Sequence, residues 1–132
     1  MTQINPYLTF NGNCREAMTF YKECLGGDLI LQTVADSPMA DQWPPDVQQN
    51  ILHASLQKNS LVLLASDMAG RDGVVRGNTI SLSLVCSSEE EINEFFTNLS
   101  QGAKVTHPLH RFFAGTIGAL TDKFGMNWLF KL

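Results

Sequence analysis

One design is written twice in this chain. Asn13 stands where it can cap a helix, with Glu16 three residues later in the capping-box position. Ala17, Phe20, Tyr21, Cys24 and Leu25 then recur at helical spacing as one apolar stripe, and Gly26-Gly27 closes it. Ser88, Glu91, then Ile92, Phe95, Phe96 and Leu99, then Gly102, repeat the pattern at a constant offset of 75. Short apolar or alternating runs surround both helices and predict strands near 4–10, 28–34, 50–57 and 61–66, then 78–85, 104–106, 116–121 and 126–132. Each half reads β-α-β-β-β. The expectation is an α+β protein of two βαβββ modules, about 1–67 and 78–132, joined by a glycine-bearing linker at 68–77 and forming a single domain.

Composition removes several function classes. Lys and Arg number 9 against 13 Asp and Glu, a net charge of −4, with no basic stripe of the kind a phosphate backbone needs. No nucleic-acid partner is expected. The longest strongly apolar run, Leu61 to Ala65, is far short of the ~20 residues that cross a bilayer, so no membrane partner is expected either. Asn5, Pro6, Asn11 and Asn13 interrupt any signal-peptide core. Cys14, Cys24 and Cys86 are odd in number and form no C-x-x-C, which predicts free thiols in a reducing, cytoplasmic setting.

Several stretches together resemble a known family: Tyr7-Leu8-Thr9-Phe10-Asn11-Gly12-Asn13-Cys14-Arg15-Glu16-Ala17, Phe20-Tyr21-Lys22, Leu25-Gly26-Gly27, His53-Ala54, and Leu120-Thr121-Asp122-Lys123-Phe124-Gly125-Met126-Asn127-Trp128. They are similar to the PhnB-like branch of the vicinal oxygen chelate superfamily, which includes glyoxalase I, extradiol dioxygenases, fosfomycin-modifying enzymes and bleomycin-binding proteins. The resemblance spans essentially the whole chain. It implies curled mixed sheets forming a cup, and a homodimer. It fixes no single activity, because function belongs to the site rather than the fold.

In metal-dependent members of that superfamily, four inward-facing strand positions carry His, Glu or Gln. The resemblance places Pro6 or Leu8, Leu64, Thr79 and Leu129 at those positions. Pro and Leu have no donor atom, and a neutral hydroxyl is a poor ligand. The cup is therefore expected to hold no metal and to need no cofactor.

Alternation predicts a polar lining instead. Leu52, Ala54 and Leu56 go to the helix side, which leaves Ile51, His53, Ser55 and Gln57 opposite. By the same rule Ile80, Leu82 and Leu84 are core, with Thr79, Ser81 and Ser83 on the cup side. Met126, Trp128 and Phe130 point inward, leaving Asn127 on the cup side, and Ser66 lines the fourth strand. One imidazole among hydroxyls and an amide makes a hydrogen-bonding floor for a small polar or aromatic molecule. His53 is the candidate acid or base.

Two long loops, 35–49 and 107–114, are the candidate covers, carrying Trp43 and Phe113. Where PhnB-like sequences carry Phe-Trp-Gly, this chain reads Phe112-Phe113-Ala114. His107 and His110 lack the cysteine partners of a zinc finger and are expected to be solvated, with His107 a marginal site candidate. Cys14 lies in the first helical turn, where the helix dipole lowers a thiol pKa, but with no His expected beside it no nucleophilic role is assigned. Two functions follow from this lining. One is metal-independent binding of a small molecule. The other is a glyoxalase-like isomerase or lyase that uses His53 as acid, base or metal ligand.

Overall fold

Two amphipathic helices need two apolar sheet faces, and the chain supplies one for each. A computed structural model describes residues 1–132 and divides into two compact units, Met1–Val75 and Arg76–Leu132. The first contains β1 (Tyr7–Thr9), α1 (Cys14–Leu25), β2 (Asp28–Thr33), β3 (Ile51–Lys58) and β4 (Leu61–Ser66). The second contains β5 (Leu82–Val85), α2 (Glu89–Leu99), β6 (Lys104–Phe112), β7 (Gly115–Thr121) and β8 (Asn127–Lys131). The sheets have equivalent orders, β1-β4-β3-β2 and β5-β8-β7-β6. In each, the first and last strands of the unit pair in parallel and the other pairs are antiparallel. The expected α+β fold of two βαβββ modules is what forms.

In the first unit, Ala17, Met18, Tyr21, Cys24 and Leu25 of α1 are buried, as are Leu8, Ala54, Leu56, Leu63 and Ala65 on the strands. In the second, Ile92, Phe95 and Leu99 are buried together with Leu120, Trp128 and Phe130, and Phe96 meets Phe130 edge-on at 5.0 Å. Gly118 permits that packing, since a Cβ there would lie 2.7 Å from Leu109 and 3.1 Å from Phe96. Both helices end where a lysine lies over a glycine. The Lys58 ammonium donates to the Leu25 carbonyl at 3.0 Å beside Gly26, and the Lys123 side chain lies 3.2 Å from where a Gly102 Cβ would be. A cation at a helix C-terminus also suits the helix dipole.

The caps depart from expectation. Asn13 sits at φ −112 and ψ 21, outside the extended conformation of a capping residue, and its side chain makes no cap bond. Asp67, following β4, does that work from a distance. Its Oδ1 accepts from the Gly12 and Cys14 amides, both at 2.9 Å, and its Oδ2 from the Ile51 amide at 2.8 Å. In α2, Ser88 does accept from the Glu91 amide, but the Glu91 carboxylate reaches back to the Ser87 amide and hydroxyl rather than to Ser88.

Three strand boundaries are corrected. β1 is only Tyr7–Thr9. β5 begins at Leu82, so Thr79, Ile80 and Ser81 lie ahead of it and are exposed, Ile80 at 77%. The segment 107–114 is no loop: β6 continues to Phe112 through register shifts on either side of His107. Such bulges erase the alternation that reveals a strand, and Pro108 sits where an edge strand tolerates it. The loop 35–49 carries two 3-10 turns, Ala40–Gln42 and Pro45–Val47, tied together by the Gln48 amide donating to the Ala40 and Trp43 carbonyls.

Replacing Asp67 by Ala leaves three backbone amides without their acceptor. The variant is expected to lose about 3–5 kcal/mol of unfolding free energy, measured by urea denaturation, with the slope of the transition unchanged.

Candidate functional site

Residues paired across a sheet share a face, so the registers show which side chains lie away from each helix. In the first sheet, Tyr7, Leu64, Ser55 and Ile30 form one cross-strand row. One step along, Thr9 pairs with Ser66 and Gln32 with His53, forming a second row. The first row is apolar at its ends, Tyr7 being 50% exposed and Ile30 67%. The second is polar from edge to edge, with His53 as its one imidazole and no carboxylate, lysine or arginine. His53 is exposed, and its Nδ1 lies 3.5 Å from the Tyr7 hydroxyl, the ring centroids 6.0 Å apart. Together these side chains offer a flat apolar strip beside a strip of neutral hydrogen-bonding groups.

Not every expected residue is available there. Ser66 is in the polar row but almost fully buried, and its Oγ accepts from the Met68 amide at 3.1 Å. Ile51, expected beside His53, is fully buried, because β2 shifts register between Gln32 and Thr33 at that end. Trp43 is 37% exposed between the two 3-10 turns, in the loop that joins the ends of β2 and β3 carrying Gln32 and His53.

In the second unit, Asn127 lies on the face away from α2 but has its amide in use. Its Nδ2 donates to the Gly77 and Ile80 carbonyls at 2.7 and 3.1 Å, and its Oδ1 accepts from Thr121 at 2.8 Å. That clamp holds the segment carrying Thr79 and Ser81 outside the sheet. Phe113 is 93% exposed between β6 and β7, its ring 4.7 Å from that of Phe112. His107 pairs with Ala119 and His110 with Ile117, so both imidazoles lie on the face away from α2.

Sequence reasoning missed Tyr7. Pro6 or Leu8 was expected to face away from the helix, whereas Leu8 is 7% exposed on the core side and Tyr7 takes the outer position. The signal was the Tyr-Leu-Thr alternation itself. The corresponding outer positions of β4, β5 and β8 are Leu64, Ser83 and Leu129, so Ser83 stands where Thr79 was expected. No group of three or more His, Cys, Asp or Glu side chains is placed to hold a metal ion.

The buried acids and thiols are unavailable for chemistry. Asp122 accepts from the Phe124 and Met126 amides at 2.8 and 3.0 Å and from the Trp128 indole at 2.8 Å. All three cysteines are free and buried. Burial, reinforced by the Asp67 charge and partly opposed by Arg15, pushes the Cys14 thiol up to about 12. Burial, with Glu91, pushes Cys86 up to about 11. These values are the reverse of an activated nucleophile's.

A family model described as 3-demethylubiquinone-9 3-methyltransferase matches residues 2–130. The crystal structure of protein PA1353 from Pseudomonas aeruginosa is 38% identical with a TM-score of 0.87, over 99% of this chain and 97% of that one. The PhnB protein of Bacillus cereus is 26% identical with a TM-score of 0.75, over 99% of both chains. A glyoxalase-related enzyme from Fulvimarina pelagi shares the fold at 18% identity and a TM-score of 0.62, over 99% of this chain and 88% of that one.

Raised thiol pKa values have a direct consequence. Below about pH 9, the unperturbed value, both folded and unfolded thiols are protonated. As pH rises from there toward 12, the unfolded state loses its Cys14 proton first, and stability falls. A Cys14→Ala variant is expected to show a flatter alkaline limb in thermal melts across that range. A thiol reagent at about pH 8 is expected to leave the native cysteines unmodified and to label them on unfolding.

Proposed function

The chain belongs to the 3-demethylubiquinone-9 3-methyltransferase family, and from that premise we propose that it is a metal-independent small-molecule-binding protein, comparable to the drug-binding members of the glyoxalase and bleomycin-resistance superfamily. The observation that carries this reading is the outer face of the first sheet. There Tyr7 and Ile30 flank Thr9, Gln32 and His53, and no charged side chain stands in either row. A planar ligand with apolar faces and hydrogen-bonding edges matches such a surface, stacking on Tyr7 and bonding to His53 and Gln32. Trp43 is the aromatic group proposed to close over it, because its loop leaves from the His53 and Gln32 end of the sheet. Ser66 has a smaller part in that lining, since it already has a protein partner; in the second unit Thr79, Ser81, Asn127 and Phe113 are proposed as ligand contacts on that unit's own surface, with Asn127 likewise already engaged.

Metal independence rests on the chemistry of the donor set. In the first unit the outer positions of β1 and β4 hold a phenol and a leucine, and in the second those of β5 and β8 hold a serine hydroxyl and a leucine; neither set fits a divalent transition metal. Methyl transfer through a Gly-rich cofactor turn has no support either. The amides at the start of α1 that would face such a cofactor are taken by Asp67. A homodimer in a reducing compartment completes the proposal, supported by the free buried thiols and the exposed apolar Ile30.

One observation favours a second reading. The Tyr7 hydroxyl beside His53 Nδ1 is an arrangement that can relay a proton, as an isomerase or lyase would need.

Elemental analysis of freshly purified protein, with thermal-shift screening against planar heteroaromatic compounds, tests the proposal. The expected result is no stoichiometric metal and at least one stabilising compound. Its shift should fall at least about tenfold in apparent affinity in both His53→Ala and Tyr7→Phe. Stoichiometric zinc, nickel, manganese or iron would overturn it, as would compounds whose binding ignores both substitutions. Turnover that is lost with His53 would favour the isomerase or lyase.

A further inference from the structure

Asn11 and Gly12 lie in the turn between β1 and α1, and both are exposed. The turn needs glycine at position 12, where φ is +102, a value that L side chains rarely adopt. Placing asparagine before it has a chemical consequence. The glycine nitrogen can close on the asparagine side-chain carbonyl, because no Cβ obstructs the approach. That nitrogen first gives its proton to hydroxide and then bonds to Asn11 Cγ. The Cγ–Nδ2 bond breaks, ammonia leaves with a proton taken from water, and hydroxide is regenerated. Water opens the resulting cyclic imide at either carbonyl, leaving aspartate or its β-linked isomer at position 11.

The fold opposes the first of these steps. The Gly12 amide donates to Asp67 Oδ1 at 2.9 Å, as does the Cys14 amide, and Asp67 is buried. A carboxylate bonded to an N–H stabilises the protonated nitrogen and repels both hydroxide and the amide anion. On the other side of Asn11, the Phe10 amide donates to the Ser66 carbonyl at 2.8 Å and the Phe10 side chain is fully buried. Anchors on both sides remove the backbone rotation by which an open chain samples ring-closing geometry. The β3–β4 turn offers a contrast within the same unit. Asn59 and Ser60 are exposed there, Asn59 at φ +53, and no carboxylate holds the Ser60 amide.

We propose that Asn11 is a latent modification site, its deamidation held back by Asp67 and released when the β1–α1 turn lets go of that carboxylate. The only co-reactants are water and hydroxide. The modification is permanent once made. Its β-linked product places an extra methylene in the chain ahead of the Gly12 amide, so the Gly12 and Cys14 amides no longer meet Asp67 as they do in the native turn. β1, which carries Tyr7 and Thr9, enters that turn directly, so a modified chain is loosened at the strand it needs for its outer sheet face.

The test ages the full chain in mildly alkaline buffer, folded and in guanidinium chloride, and follows both asparagines by peptide mapping with mass spectrometry. Trypsin separates them, leaving Asn11 in the peptide 1–15 and Asn59 in 59–71. In denaturant Asn11 is expected to react before Asn59, because glycine obstructs ring closure less than serine does. In the folded protein the order is expected to reverse, with Asn11 at least about tenfold slower than in denaturant. Asp67→Asn, which keeps the size and removes the charge, is expected to speed the reaction at Asn11 and to leave Asn59 unchanged. A thermal melt shows whether that variant folds, and if it does not, the order in the unaltered chain decides. Reaction at Asn11 as fast in the folded protein as in denaturant, or ahead of Asn59, would overturn the proposal and make Asp67 no guard. An Asn11 rate that ignores Asp67→Asn in a folded variant would overturn it too.

Discussion

Two buried aspartates hold this architecture together. Each accepts three N–H donors, and each joins segments that no local propensity would bring together. Asp67 ties the β1–α1 turn to the start of β3 from the end of β4. Asp122 closes the β7–β8 turn and fixes the Trp128 indole in the core of its unit. A buried carboxylate is costly unless its lone pairs are filled, and here they are filled by groups that would themselves be costly to leave bare. The strands therefore hold the registers that send Leu8, Ala54 and Trp128 inward and Tyr7, His53 and Leu129 outward.

The same arrangement shapes the available chemistry. Asp67 and Asp122 are committed to the backbone and the indole, so neither partners a histidine on an open sheet face. The thiols are buried and held protonated. What remains on the open faces is a phenol, imidazoles, hydroxyls, amides, the exposed Asp28 carboxylate one row beyond Ile30 in the first unit and, in the second unit only, lysines. Such groups recognise shape, hydrogen-bonding pattern and charge, and they supply little of the electrophilic force a metal would give.

Much of this was legible in the sequence, and the losses have physical causes. The helices could be read because a stripe at helical spacing survives any tertiary context that covers it, as Ala17 to Leu25 and Ile92 to Leu99 do. β4 was read to the residue, since Leu61–Ser66 is an apolar run with a turn before it. β6 was lost because two bulges and Pro108 scramble its alternation. Thr79 and Ser81 were misplaced for the opposite reason: 78–83 alternates like a strand, yet the Asn127 amide grips the Gly77 and Ile80 carbonyls and keeps that stretch out of the sheet. Asp67 could not be found as a cap because its partners at Gly12 and Cys14 are more than fifty residues away in sequence. His53 was readable from alternation alone, while its neighbour Tyr7 was concealed by an assumed register one residue out.

On the proposed reading, a small molecule binds the outer face of the first sheet without a metal. Amide and side-chain chemical-shift mapping by NMR, with a planar ligand titrated into protein kept in a strong chelator, tests it most directly. Shifts concentrated at Tyr7, Thr9, Ile30, Gln32, His53 and Ser55, unaffected by the chelator, are the expected result. Shifts that vanish with the chelator, or that leave this face untouched, would contradict it.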